Sequence, residues 1–312
     1  MPGPAAARPI NAPRGASSHP AGPPTAPMRW RCRDRFFDLA ERTLVMGVVN
    51  VTPDSFSDGG RFLDPSAAIE HARRLAREGA DILDLGAEST RPGSQPVPAA
   101  EQLRRLMPVV EALVAGGGAA LSIDTSSATV AEHALTAGAV IVNDVTALGD
   151  PAMAAVAGGA GAGLVLMHMR GMPATMQEEP AYADVTAEVR AWLAERVEGA
   201  RRAGVAEDCI AVDPGIGFGK TARHNLELLS RLEELTLLGR PVVVGASRKS
   251  FIGRVLDLPV ESRLEGSLAA AAVATFLGAR IVRTHDVAET VRAVRLAEAI
   301  RSARRAANAE GG

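Results

Sequence analysis

The stretch MGVVNVTPDSFSDGG, residues 46–60, places an apolar run directly before a polar loop that contains glycine. The run at residues 44–49 has the length and composition of a buried β-strand, and Asn50 follows it at once. Polar groups are therefore presented at the carboxyl end of a strand. The same arrangement recurs along the chain, and this recurrence predicts the fold.

Eight such runs alternate with helix-forming segments at a spacing of roughly thirty residues, which is the pattern of repeated βα units. The predicted strands are 44–49, 81–86, 119–123, 139–142, 163–167, 209–212, 241–244 and 280–282. The predicted helices begin near residues 65, 99, 126, 151, 182, 224, 249 and 286. Several of these helices end at a glycine that can adopt the left-handed conformation, namely Gly79, Gly138, Gly204 and Gly278.

This count predicts an α/β protein with a single (β/α)₈, or TIM, barrel. A doubly wound open sheet is the structural alternative. It is disfavoured because the eight units are uniform and no GxGxxG motif follows the first strand. Residues 29–39 suggest a short pair of strands that could cover the bottom of the barrel.

The composition fits this class. The chain has 312 residues, 47% hydrophobic and only 3% aromatic, so the core must be built from Ala, Val, Leu and Ile, as buried parallel strands allow. A net charge of -2 gives no overall field for nucleic acid or an anionic membrane, so a small ligand is expected. The only two cysteines, Cys32 and Cys209, fit a reducing compartment such as the cytoplasm.

Residues 1–27 are rich in Pro, Ala, Gly and Ser and contain no apolar block, which predicts a disordered extension. The catalytic domain is expected at residues 28–307, and Met28 is an alternative start of the protein. No apolar run reaches the roughly 18 residues that a membrane span requires.

Lysine is rare in this chain. Of 34 basic residues only Lys220 and Lys249 are lysines, and both lie in glycine- or serine-rich loops after predicted strands. An arginine-biased chain could keep lysine where a compact ammonium group is needed, although a sample of two is also compatible with chance.

Polar side chains follow every predicted strand, which is where a barrel places its active site. For any single position the alternative is a loop residue that caps a helix or contacts water, but eight converging positions favour a site. The residues are Asn50, Glu88, Ser89, Thr90, Arg91, Asp124, Thr125, Asn143, Asp144, His168, Arg170, Asp213, Ser247, Arg248, Lys249, Ser250, Arg283 and His285.

These side chains divide by chemistry. Carboxylate and amide groups suit a flat heterocycle with adjacent N–H donors, and the candidates are Asp124, Asn143 and Asp213. Cationic and hydroxyl donors suit an oxyanion such as phosphate, and the candidates are Thr90, Arg91, Arg283 and His285. Asn50 could offer its carbonyl oxygen to Mg²⁺, a cation that takes few protein ligands when phosphates and waters supply the rest.

Two loops carry additional signals. DPGIGFGK, residues 213–220, lacks the GxxxxGK[ST] spacing of a phosphate-binding loop, so its glycines are interpreted as letting Phe218 and the backbone approach a ligand. ASRKSF, residues 246–251, opens a helix whose unpaired N–H groups, together with Ser250, suit a carboxylate or a phosphate.

The motifs MGVVNVTPDSFSDGG, ESTRPG, SIDTS, VNDV, LMHMRG, DPGIGFGK, GASRKSFIG and RTHD occur in this order. Together they resemble the dihydropteroate synthase family, the folate-pathway enzymes that sulfonamides target, and the likeness covers roughly residues 30–305. The resemblance implies a transferase that joins 6-hydroxymethyl-7,8-dihydropterin diphosphate to p-aminobenzoate and releases diphosphate. Two departures, Ala87 for a usual glycine and Thr284 within RTHD, remove no functional group.

The resemblance also implies a role for individual positions. The pterin would be held by Asp124, Asn143, Asp213 and Lys249. The diphosphate would be held by Thr90, Arg91, Arg283 and His285, with Mg²⁺ bound at Asn50. The p-aminobenzoate pocket would be lined by Phe56, Pro92, Phe218, Lys249 and Ser250. The residues expected to act in catalysis are Asn50, Lys249, Arg283 and His285.

Two other functions remain open at the level of sequence. A methyltetrahydrofolate-dependent methyltransferase would share the pterin-holding positions but has no use for Arg283 and His285. A non-catalytic pterin-binding paralogue would be suggested by damage at Asn50, Lys249 or Arg283, and these residues are intact. The resemblance also implies a homodimer, for which the alanine-rich helix at residues 264–276 is a candidate interface.

Overall fold

The computed structural model describes residues 28–40, 42–52, 65–88, 97–171 and 180–310. The predicted extension, residues 1–27, lies outside this part of the chain. The strands are β1 Arg29–Cys32, β2 Arg35–Asp38, β3 Leu44–Asn50, β4 Ile82–Gly86, β5 Ala120–Asp124, β6 Ile141–Asp144, β7 Gly163–Met167, β8 Ile210–Asp213, β9 Val243–Val244 and β10 Ile281–Thr284. The helices are α1 Pro65–Arg77, α2 Ala99–Gly116, α3 Ala128–Ala137, α4 Met153–Ala160, α5 Val185–Arg202, α6 Ala222–Ser230, α7 Glu233–Thr236, α8 Ser250–Leu256, α9 Leu264–Phe276 and α10 Val287–Glu310.

Strands β3 to β10 form one parallel sheet in the order β8-β7-β6-β5-β4-β3-β10-β9. A parallel bridge between Val212 and Val242 joins its two ends, and the Val212 N–H donates to the carbonyl oxygen of Pro241 at 2.9 Å. The sheet is therefore closed, which confirms the TIM barrel and excludes the open sheet. The residues of β4 are buried throughout, because one face of the strand lies inside the barrel and the other lies under helices.

The helix boundaries follow local capping chemistry. Ser127 caps α3 by accepting the Val130 N–H, and Asp184 caps α5 by accepting the Ala187 N–H at 2.9 Å. Helix α5 therefore begins three residues later than predicted, because Asp184 occupies the capping position. The glycine after α3, Gly138, has φ of 116°, and a Cβ there would lie 2.9 Å from a methyl carbon of Val114.

The seventh barrel strand is shorter than the predicted 241–244. Regular pairing is confined to Val243 and Val244, with a single bridge at Val242. Pro241 has no N–H group to donate to the sheet, so it contributes only its carbonyl oxygen. The two segments predicted as helical, from residue 249 onward and over residues 260–277, form α8 and α9, and α9 begins four residues later than predicted.

The antiparallel hairpin of β1 and β2 packs against the lower part of the barrel. The Trp30 side chain is fully buried, and its indole N–H donates to the carbonyl oxygen of Cys209 at 2.8 Å. The hairpin shares one apolar cluster with the early residues of the barrel strands: Leu44, Met46, Ile82, Ala120, Ile141, Val165, Ala211, Val243 and Ile281. The lower interior of the barrel is thus filled with apolar side chains, which leaves the carboxyl ends of the strands for polar groups.

Among the described residues no helix is long and apolar enough to cross a membrane.

Candidate functional site

The pairing register of the barrel strands places several predicted strand-end residues side by side. The Cα of Asn50 pairs with Gly86, Gly86 pairs with Asp124, and Asp124 pairs with Asn143 across β3 to β6. Asp213 ends β8, where it pairs with Met167. Because the carboxyl ends of parallel strands meet at one rim, these side chains face the same mouth of the barrel.

A buried ionic cluster connects this row to β10. The Arg283 guanidinium donates through Nε to Asp84 Oδ2 at 2.6 Å and through Nη2 to Asp124 Oδ2 at 2.8 Å. Asn143 Nδ2 donates to the same oxygen of Asp84 at 3.0 Å. The two predicted groups, acceptors for a heterocycle and donors for an oxyanion, therefore meet at Arg283.

Asp84 was not among the residues predicted from sequence. It lies in the middle of β4 rather than at the strand end, and its side chain is fully buried. Its Oδ1 has no hydrogen-bond partner within the described part of the chain. The available signal was a single aspartate within the apolar run ILDLG, because a buried carboxylate requires a cationic or hydrogen-bonding partner.

The charges of the cluster depend on one another. Burial raises the pKa of Asp124, the nearby Arg283 charge opposes this rise, and the Asp84 carboxylate adds to it. Burial disfavours the charged form of Arg283, but the Asp84 and Asp124 carboxylates outweigh that cost and raise its pKa. Arg283 is therefore a permanent cation at the floor of the site.

Lys249 lies between the acidic groups and an aromatic ring. Its ammonium nitrogen is 3.9 Å from the centroid of the Phe218 ring, and a Cβ on Gly217 would lie 3.0 Å from its Cδ. Burial lowers the pKa of Lys249 to about 8, Arg283 contributes in the same direction, and Asp213 and Asp124 oppose the shift. The glycine at position 217 therefore gives the Lys249 side chain close packing against the loop.

The backbone of the glycine loop holds Asp213. The Gly215 N–H donates to Asp213 Oδ1 at 2.7 Å. Burial raises the pKa of Asp213, while this hydrogen bond and the Lys249 charge act against the rise. The carboxylate thus keeps a fixed orientation toward the mouth of the barrel.

His285 is held by the loop after β9. Its Nδ1 lies 3.0 Å from Ser247 Oγ, and its backbone N–H donates to the same hydroxyl oxygen at 3.2 Å. Burial lowers the pKa of His285 to about 4, and the charges of Arg283 and Arg248 lower it further. The imidazole is therefore neutral near pH 7, and it can serve as a hydrogen-bond donor when its proton is on Nε2.

Several strand-end residues have structural roles instead. Asp144 accepts hydrogen bonds from the N–H groups of Thr146 and Leu148, and Thr284 bonds the hydroxyl of Thr290. Glu88 accepts the Val97 N–H, so its carboxylate is engaged by the backbone that precedes α2. A further set is likewise engaged in contacts outside the ionic cluster: Thr125, His168 and Arg170.

Of the remaining predictions, Asn50 is half-buried at the end of β3 and Ser250 is exposed as the first residue of α8. Five predicted residues lie outside the described part of the chain and stay predictions: Phe56, Ser89, Thr90, Arg91 and Pro92.

Comparison with known proteins agrees with this geometry. The model of the pterin binding enzyme family matches residues 46–285. The chain therefore belongs to the pterin binding enzyme family.

The relatives define its place within that family. Dihydropteroate synthase of Escherichia coli (strain K12) is 46% identical over 246 residues, which is 79% of this chain and 87% of the relative. Dihydropteroate synthase of Bacillus subtilis (strain 168) is 46% identical over 248 residues, covering 79% and 85%.

Solved structures give the same result. Xanthomonas albilineans dihydropteroate synthase with 4-aminobenzoic acid superposes with a TM-score of 0.82 at 45% identity, covering 88% of this chain and 98% of that one. The same enzyme in complex with 7,8-dihydropteroate gives a TM-score of 0.78 at 43% identity, covering 87% and 98%. The chain is thus placed among the dihydropteroate synthases, transferases of folate biosynthesis.

The ionic cluster leads to a prediction about Asp84. Replacing Asp84 with asparagine removes a buried countercharge from Arg283, and breaking a buried ion pair should lower the free energy of unfolding by about 3 kcal/mol. The matched control is Asp208→Asn, which breaks an Arg–Asp pair in which the Asp208 side chain is 51% exposed. That change should cost less than about 1 kcal/mol. Urea unfolding of the three proteins measures both values, and equal losses would contradict the role given to Asp84.

Proposed function

We propose that the described mouth of the barrel joins 6-hydroxymethyl-7,8-dihydropterin diphosphate to p-aminobenzoate, forming 7,8-dihydropteroate and diphosphate. The observation that supports this most directly is the contact between Arg283 and Asp124. In this contact Arg283, a cation that can bind an oxyanion, is hydrogen-bonded to Asp124, an acceptor that can bind a heterocycle. A substrate with a pterin ring at one end and a diphosphate at the other matches that pair.

The pterin ring is assigned to the acidic and amide groups. Its amino and ring N–H groups can donate to Asp213 and Asp124, because a carboxylate accepts parallel N–H bonds. Asn143 presents an amide that Asp84 already orients, and Lys249 can donate to a ring acceptor.

The diphosphate is assigned to Arg283 and His285, with Thr90 and Arg91 as further donors. Asp84 holds Nε of Arg283, so the guanidinium can keep that contact while its Nη groups turn from Asp124 to the anion. A neutral His285 contributes a hydrogen bond, whereas Arg283 contributes the charge.

The p-aminobenzoate is assigned to the other side of Lys249. Phe218 supplies an aromatic face and Ser250 lies at the start of α8, where a hydroxyl can meet a carboxylate. Phe56 and Pro92 are the remaining predicted contacts.

The donor set at Asn50 fits a weakly held Mg²⁺. Among the described residues no group of three or more His, Cys, Asp or Glu is arranged to hold a metal ion. One carboxamide at the rim suits a cation whose other ligands are phosphate oxygens and waters. When bound, Mg²⁺ supplies charge stabilisation to the leaving diphosphate.

The proposed chemistry needs no side-chain nucleophile. The carbon–oxygen bond to diphosphate breaks, the amino nitrogen of p-aminobenzoate forms the new carbon–nitrogen bond, and that nitrogen loses a proton. The methylene carbon is attached to an electron-rich dihydropterin, so departure of diphosphate can precede attack. Arg283 and His285 stabilise the charge on the leaving group electrostatically.

The proposed function predicts a strict requirement for both substrates. Purified protein should release diphosphate only when pterin diphosphate, p-aminobenzoate and Mg²⁺ are all present, as measured by a coupled diphosphate assay. Omission of each component in turn provides the controls. Binding of pterin diphosphate without turnover would support the non-catalytic paralogue, and turnover of methyltetrahydrofolate would support the methyltransferase.

The metal assignment makes a separate prediction. Asn50→Ala should raise the Mg²⁺ concentration required for half-maximal activity by about tenfold, the effect of losing roughly 1.4 kcal/mol of binding. Asn50→Asp is the control, because a carboxylate is a hard oxygen ligand and should restore binding at low Mg²⁺. An unchanged Mg²⁺ requirement in Asn50→Ala would contradict the assignment.

We further propose that the protein acts in the cytoplasm as a homodimer. Both cysteines are free thiols, as expected in a reducing compartment. Four exposed aliphatic side chains on α8, α9 and the segment between them could be covered by a second copy: Val255, Leu256, Val260 and Val273.

The dimer predicts a solution mass of twice the 32.4 kDa chain in size-exclusion chromatography with light scattering. The double change Leu256→Glu and Val273→Glu should shift that mass to the monomer, because charges would be buried at the interface. Phe36→Glu, at an exposed residue of the bottom hairpin, is the control and should leave the mass unchanged. A monomeric wild-type protein would contradict the proposal.

A further inference from the structure

Lys220 lies next to the site without facing its mouth. It ends the glycine loop between β8 and α6, and only 2% of its surface is exposed. We infer that Lys220 is a positioning residue, whose ammonium group fixes Phe218 for p-aminobenzoate by tying the glycine loop to the end of β7. This inference rests on the proposed function, since it concerns one of its two substrates.

The ammonium group of Lys220 has three hydrogens, and three acceptor atoms surround it. Its nitrogen lies 2.9 Å from the carbonyl oxygen of Phe218, 2.9 Å from His168 Nδ1 and 3.4 Å from the carbonyl oxygen of His168. An ammonium donates three hydrogen bonds and accepts none, so this set uses its full capacity. One acceptor belongs to the glycine loop and two belong to the residue after β7.

His168 is suited to be the acceptor. Its Nδ1 can accept only when it carries no proton, and burial together with the Lys220 charge lowers the pKa of His168 to about 3. The ring packs edge-on against Trp192, with the centroids 4.9 Å apart. His168 is therefore neutral, and its Nδ1 accepts a hydrogen bond from the Lys220 ammonium group.

The backbone of the loop lies directly on the end of β7. A Cβ on Gly215 would lie 1.9 Å from the His168 carbonyl oxygen, and a Cβ on Gly219 would lie 2.3 Å from the Arg170 carbonyl oxygen. Both glycines also have positive φ, at 66° and 61°. The glycines permit this approach, and Lys220 supplies the hydrogen bonds that hold it.

Lys220 acts on the part of the glycine loop that carries Phe218 and not on Asp213. The Phe218 ring, which contacts the Lys249 ammonium, is joined to the carbonyl that Lys220 holds. Asp213 is held at the strand end by pairing with β7, by its carbonyl oxygen, which accepts the His168 N–H at 2.9 Å, and by the Gly215 N–H at the start of the loop, none of which involves Lys220. Loss of the Lys220 contacts should therefore displace Phe218 while leaving the pterin-binding carboxylate in place.

This arrangement also explains why lysine is used in an arginine-rich chain. Three acceptors converge on a single nitrogen atom in a space that is almost closed to solvent. A guanidinium spreads its five donors over a planar fork and cannot point them all at one place.

The charge of Lys220 adds a dependence on pH. Burial lowers its pKa to about 7, Lys249 and Arg170 act in the same direction, and Asp213 opposes them. The neighbouring His168 stays neutral through this range. As the pH rises through the pKa of Lys220, the group loses one hydrogen and hence one of its three donated bonds.

The test uses Lys220→Met in the full chain, with exposed Arg223→Met on α6 as the matched control. Hydrogen bonds from a charged donor contribute roughly 1.5 to 3 kcal/mol, so KM for p-aminobenzoate should rise about tenfold or more in Lys220→Met. The Kd for pterin diphosphate, measured calorimetrically without p-aminobenzoate, should change less than about threefold. Arg223→Met should change neither value.

Two further measurements separate the possible causes. The ratio of KM in Lys220→Met to KM in wild type should fall between about pH 6 and pH 9, because only the wild type loses a donated bond. The substrate titrates alike in both proteins and cancels in that ratio, and the same ratio measured for Arg223→Met should stay constant with pH. Lys220→Gln keeps two N–H donors and should give an intermediate KM, and it replaces the methionine variant if that protein does not fold.

Equal weakening of both substrates, or no change in either, would overturn the positioning role. A wild-type protein that does not turn over would instead refute the proposed function, so the two failures are distinguishable.

Discussion

The buried contact of Arg283 with two carboxylates determines the organisation of the site. Placing charges in a poorly solvated position is costly unless they are paired and hydrogen-bonded. Here one guanidinium connects Asp84 on β4, Asp124 on β5 and, through Asp84, Asn143 on β6. The cluster therefore fixes the relative positions of four strands at the rim, and its polar side chains are oriented by the same bonds that compensate their burial.

This polar rim depends on how the rest of the barrel is filled. The lower interior holds an apolar cluster that the N-terminal hairpin covers with Trp30, so the charged groups are confined to one end. The closing bridge at Val212 and Val242 brings the glycine loop after β8 next to the loop that carries Lys249. Fold closure and site assembly are thus consequences of the same strand pairing.

The fold and most of the described rim could be predicted from sequence, because strand-end position is a local property of the chain. Asp124, Asn143, Asp213, Lys249 and Arg283 were identified in this way, and the structure brings them together. Side-chain direction was not accessible from position alone. A strand-end residue can use its side chain to bond the N–H groups of its own turn. A mid-strand residue can join the site when a side chain from a distant strand binds it. These are tertiary contacts, which no local pattern encodes. The exact extent of the seventh strand likewise depended on which groups could pair across the closure.

The contacts of Arg283 have a consequence for selectivity. In the ligand-free barrel its positive charge is already neutralised by internal counterions, so a simple inorganic anion gains little by entering: it must displace Asp124 and leave that carboxylate unpaired. A molecule that brings N–H donors for the carboxylate together with an anion for the guanidinium replaces both halves of the broken pair at once. A ligand that carries both groups would therefore be favoured at this ion pair over an inorganic anion alone.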